Sequence, residues 1–104
     1  MWVCMNNAFV SIVKDETTGL MKVRARKREH LERLFPDATI HETRSNDYRF
    51  RVFVDREVVA GRIADAVRAI DYGNFKDSVV EDGLYDLYAG FWEAHHRYQQ
   101  QRIL

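Results

Sequence analysis

Five basic side chains at alternate positions of two short segments are the densest chemistry in this 104-residue chain. Lys22, Arg24 and Arg26 alternate in "KVRAR", and Arg49 and Arg51 in "RFRVF". Successive side chains of an extended strand point to opposite faces, so the two segments predict one basic sheet face. Such an array holds phosphates, and Phe53 on the same face offers a ring on which a base stacks. That is the chemistry of RNA or single-stranded nucleic-acid binding. The plainer account is a solvated sheet face, polar because alternation makes it so, with Glu42 and nearby helices balancing the charge.

A second candidate is "IDYGNFKDSV", residues 70–79, which places Tyr72, Asn74, Lys76 and Asp77 within six positions. As a site it would present these four polar groups together. As a connector it needs no chemistry: Gly73 would take a left-handed conformation after the preceding helix and Asn74 would tolerate a turn. Tyr72 and Phe75 would fold back over helix ends, and Lys76 would pair locally with Asp71 or Asp77. The connector account is the better supported of the two.

A third cluster is aromatic. Tyr85, Tyr88, Trp92, His96 and Tyr98 fall on one terminal segment, more ring area than a small core absorbs. Rigid Trp and Tyr side chains carry much of the energy of protein contacts, so this segment is a candidate interface with a second copy or another protein. Charge is also segregated along the chain. Residues 22–51 hold nine basic side chains against five acidic, whereas residues 71–93 hold six acids and Lys76 alone. Opposed patches on a neutral chain suit charge-steered pairing.

The remaining reactive types have no partners at useful spacing. His95 and His96 are adjacent, about 100° apart on a helix, and His30 and His41 lack a carboxylate-rich motif, so no metal site is expected. Cys4 is a lone cysteine, expected to be a small buried hydrophobe. The chain has no glycine-rich phosphate loop, no G-x-S-x-G and no CxxC. Nothing calls for a cofactor or for catalysis.

The elements that must position these groups follow from periodicity. Length and a hydrophobic share of 46% fit one domain over residues 1–104. Sixteen basic and sixteen acidic residues cancel, which weighs against a general polyanion binder. The start "MWVCMNNAFVSIV" lacks a basic leader and breaks its apolar run with two asparagines, so no membrane span and a cytoplasmic location are expected. Residues 2–13 predict a strand with a bulge or break at "NNA", and Gly19 takes any positive φ in the following turn. "LMKVRARK" is a paired strand, 28–35 a helix stopped by Pro36, "ATIHET" a short strand and "YRFRVFV" another. Asp55 caps a helix over 56–70 and Asp82 a last helix to about 99. The order is β-β-α-β-β-α-α: an α+β domain with a mainly antiparallel sheet and helices on one face. Its expected core is Val23, Phe50, Val52, Val54, Ile63, Val67, Leu84, Leu87 and Phe91.

"NNAFVSIV", "VRARKREHLERLFP", "DYRFR" and above all "DYGNFKDSV" resemble a family of small uncharacterised bacterial proteins. The likeness covers most of the chain. It implies a self-standing bacterial or mobile-element domain and carries over no established activity, cofactor or catalytic residue. The sequence therefore points first to a non-enzymatic protein-interaction or regulatory module, expected to be homodimeric. The alternatives are a phage or mobile-element inhibitor of a host defence complex, of anti-CRISPR type, and a nucleic-acid binder using the basic face.

Overall fold

The computed structural model describes residues 1–101. It is an α+β fold around one antiparallel sheet in the order β1-β2-β3-β5-β4. The strands are β1 (Trp2–Met5), β2 (Ala8–Lys14), β3 (Met21–Ala25), β4 (His41–Glu42) and β5 (Phe50–Val54). Helix α1 (Arg28–Leu34) follows β3, α2 (Arg56–Arg68) follows β5, and a 3₁₀ turn (Lys76–Ser78) leads into α3 (Asp82–Gln100). No helix among the described residues is long and apolar enough to cross a membrane.

Of the bulge or break expected at residues 6–8, the structure has the break, as a hairpin turn. Met5 pairs with Ala8 across Asn6 and Asn7, so the first apolar run makes two strands rather than one. Two polar residues at the midpoint let the chain reverse there. At the next turn Gly19 has a φ of +77°, where a Cβ would be strained. Asp15 caps this turn, accepting from the Thr18 N–H at 3.1 Å and its hydroxyl at 2.6 Å. Those bonds, with Lys22 beside it, hold the Asp15 carboxyl below its usual pKa.

Register decides the rest. Val23 stands opposite Val52 and Ile12 opposite Val23, and Val10, Ile12, Val23 and Val52 form one face with Leu31 and Phe35 of α1 and Val59 of α2. Val23 and Val52 are fully buried, as the alternation predicts, while Phe50, Val54 and Ile63 pack at the margin. The other face is also covered. Phe9, which points away from Val10, buries against Leu84 and Tyr88 of α3, with Tyr48, Val79 and the half-buried Phe75 and Phe91. The expectation of helices on one face therefore needs correcting: α1 and α2 lie on one side and α3 on the other. The physical cause is β2, whose residues Ala8 to Ile12 are all buried, the pattern of a strand enclosed on both faces.

Two core assignments also fail. Val67 is 62% exposed, because α2 is anchored by Val59 and Ile63 and Val67 lines an open groove facing β1 and α1. Leu87 is 38% exposed, because α3 seats itself through Leu84 and Tyr88, leaving Leu87 at the flank. Beyond Phe91 no residue of α3 is buried or half-buried through Gln100. The radius of gyration, 15.1 Å, exceeds the roughly 13 Å of a compact chain this long, as an overhanging helix requires.

Candidate functional site

The basic face exists as the register predicts. Arg24 lies opposite Arg51 and Lys22 opposite Phe53, on the sheet face opposite Val23 and Val52. Two guanidinium groups side by side would repel, and the fold gives each another partner. Arg24 donates to the Ser11 hydroxyl at 2.8 Å, while Arg51 donates to the Thr43 hydroxyl at 2.9 Å and the Tyr48 carbonyl at 2.8 Å. The Tyr48 ring receives the guanidinium groups of Arg24 at 4.6 Å and Arg26 at 4.3 Å. Arg26 also pairs with Asp47, Lys22 with Asp15, and Arg49 with Glu42 at 2.6 Å. The Arg49 bond and the nearby Arg44 hold the Glu42 carboxyl below its usual pKa. Every member of this face has a partner: Arg24, Arg26, Arg49 and Arg51 fasten the segment between β4 and β5 to the sheet, and Lys22 pairs with Asp15 of the β2–β3 turn. Phe53 is occupied by an edge contact with His41.

The connector and the terminal helix meet. Helix α2 ends at Arg68 with Ala69 as its C-cap, and an irregular link through residues 70–75 leads to the 3₁₀ turn. Gly73 does not take a left-handed conformation, since Gly19 is the one residue with positive φ among those described. The turn is set by Asn74, whose side-chain oxygen accepts from the Asp77 N–H at 3.1 Å, and by the Ser78 hydroxyl, which donates to the Phe75 carbonyl. Phe75 then packs on Tyr88, ring centroids 5.1 Å apart, and touches Tyr72 at 6.0 Å. Lys76 is not paired with Asp71 or Asp77. Its ammonium sits 4.9 Å from the centre of the Trp92 ring, and His96 stacks on that ring at 4.9 Å, nearly parallel.

Around these groups lies an open cleft of about 420 Å³, lined by Cys4, Asn74, Phe75, Lys76, Tyr88, Phe91, Trp92 and His95. The proposed connector group is thus divided. Asn74 and Lys76 line this cleft, Asp77 points to solvent, and Tyr72 belongs to a second groove of about 470 Å³ between α2, α1 and β1. The candidate interface divides too. Tyr85, Trp92, His96 and Tyr98 are exposed, but Tyr88 is 3% exposed and belongs to the core. Its hydroxyl shares its proton between the Met5 and Ala8 carbonyls at 2.8 and 2.9 Å, and burial pushes its pKa well above the usual phenol range.

Cys4 was expected inside and lies at the surface. Desolvation among its neighbours still raises its thiol pKa, so it is a poor nucleophile. Its place in the cleft had no sequence signal, because β1 is remote from α3 along the chain, whereas His95 lies on the helical stripe of Tyr88 and Phe91 that the period of α3 gives. His30 was likewise missed. It is buried, and its Nδ1 accepts the Phe9 N–H at 3.2 Å just beyond the last β2–β3 pair, Ser11 with Arg24. Its Nε2 faces Glu81 at 3.8 Å, and Glu81 also faces Arg33. No group of three or more potential metal ligands occurs among the described residues. No protein-family model matches the chain, and neither a curated protein nor a solved structure shows significant similarity to it.

Proposed function

We propose that this chain is a small, non-enzymatic interaction module of the cytoplasm that works as a homodimer through the free end of α3. The observation that carries this reading is the overhang: from Trp92 to Gln100 every residue is exposed. These nine residues extend about 13 Å, too short a helix to be stable on its own. At about 100° per residue, the stripe that seats Leu84 and Phe91 on the sheet continues through His95 to Tyr98, which is 72% exposed. Trp92, 48% exposed, stands beside it with His96.

A second copy fits because the ridge is self-complementary. Glu93 and Arg97 already pair at 3.1 Å along the helix, and in an antiparallel pairing each meets its opposite across a two-fold axis. Zero formal net charge removes long-range repulsion between copies. Two rings per copy, each of about 150–250 Å², make a contact at the small end of specific interfaces, under about 1,200 Å². Sedimentation velocity over a micromolar concentration series is expected to show a monomer–dimer equilibrium. Trp92→Ala and Tyr98→Ala should shift it to monomer without lowering the melting temperature. A chain that sediments as monomer throughout overturns the homodimer.

A second occupant of the same surface has separate support. Asp77 of the 3₁₀ turn and Asp82 and Asp86 of the first turns of α3 are exposed and make no ion pair among the described residues. An acidic, aromatic surface suits a basic protein partner, the arrangement a mobile-element inhibitor of a nucleic-acid-handling defence complex would use.

A further inference from the structure

The cleft between the connector and α3 has a composition that neither its structural role nor dimerisation explains. Segment 71–93 is strongly acidic, yet no carboxylate lines the cleft. Its three outer walls are rings, Phe75, Phe91 and Trp92, and its one full positive charge is Lys76. Asp71 and Asp77, the acids nearest Lys76 in sequence, are exposed and outside the lining. The Lys76 ammonium is half-buried and has no carboxylate within ion-pair distance among the described residues; its compensation is the face of Trp92. A cation held only by a ring keeps unused donors.

The other polar groups of the cleft, His95 among them, bring no negative charge. The Tyr88 hydroxyl is committed to two backbone carbonyls. The Asn74 side-chain oxygen is used in the turn, which leaves its amide NH₂ free to donate. Cys4, with its raised thiol pKa, brings no negative charge. Its volume of about 420 Å³ falls within the range of small-molecule sites, about 300–1,000 Å³.

We propose that this cleft binds a planar aromatic carboxylate, its ring between Phe75, Phe91 and Trp92 and its carboxylate on the Lys76 ammonium and the Asn74 amide. The exchange replaces a cation–ring contact with a charge-assisted hydrogen bond in a partly desolvated setting, the stronger of the two. Ring recognition by stacked aromatics supplies the apolar part.

The probe is indole-3-carboxylate, titrated calorimetrically into the full chain in parallel with indole-3-carboxamide and with inorganic phosphate. The carboxylate is expected to bind in the submillimolar range, the neutral amide at least tenfold more weakly, and phosphate not measurably. Lys76→Ala should weaken the carboxylate at least tenfold, and Lys76→Arg should restore most of the loss. Both variants should keep the wild-type melting temperature and the wild-type sedimentation series, which separates this site from the dimer contact. Equal binding of acid and amide, phosphate binding as tightly as the carboxylate, or no effect of Lys76→Ala would each overturn the assignment.

Discussion

Replacing Tyr88 by Phe removes one oxygen from the best-buried part of α3. The ring contacts with Phe9, Phe75 and Phe91, at 6.4, 5.1 and 6.1 Å between centroids, stay in place. What is lost is the O–H that serves the Met5 and Ala8 carbonyls, the two ends of the β1–β2 hairpin turn. A buried hydrogen bond is worth about 1 kcal/mol net, and up to about 3 kcal/mol when its acceptors stay dry. For a chain of this size each 1 kcal/mol moves the melting temperature by roughly 4–8 °C. The same group makes a pH signature. Burial favours the neutral phenol, so the folded pKa lies above the unfolded one. That stabilisation is whole below about pH 10, the unfolded tyrosine value, and fades as the pH rises past it. At about pH 11 the wild type has lost about 1.4 kcal/mol that Tyr88→Phe never had. Urea unfolding followed by circular dichroism, at neutral pH and in steps up to that pH, measures both quantities. A variant within about 0.5 kcal/mol of wild type at neutral pH would refute this role for the hydroxyl. A gap between the two proteins that stays constant into alkali would refute it equally.

His30→Leu orphans the Phe9 N–H and should cost about 1–3 kcal/mol; His30→Gln, which keeps an acceptor, should recover part, with amide exchange at Phe9 as the local readout. Single- and double-stranded oligonucleotides should show no mobility shift with the chain even in low salt, because each basic residue of the sheet face is already engaged. Arg24→Ala and Arg51→Ala should instead lower the unfolding midpoint in urea, since these side chains fasten the segment carrying Tyr48.

Period-two patterns made the central strands legible. "KVRAR" and "RFRVF" state which face each residue takes, and a slip of one residue would have reversed every side chain; Val23 and Val52 show that none occurred. The basic face was legible for the same reason, but its use was not. Whether Arg24 meets a phosphate or Ser11 depends on what stands within 3 Å, and Ser11 comes from β2 while Tyr48 and Thr43 come from the segment between β4 and β5. The same holds for Lys76, whose sequence neighbours Asp71 and Asp77 suggested a local pair. The fold places it on Trp92 instead.

Strand alternation, helix periodicity and turn residues thus determined the element types, the antiparallel α+β class and the composition of each face, because those depend on interactions within a few residues along the chain. Three features depended on the tertiary structure. It put α3 opposite α1 and α2, since β2 is apolar on both sides and either face alone would accept a helix. It separated Tyr88 from the exposed aromatics of its own helix, because burial is set by where the sheet beneath α3 stops. It also brought Cys4, Lys76 and Trp92 to one cleft, a proximity between residues far apart in sequence that only the closing of the chain around its core creates.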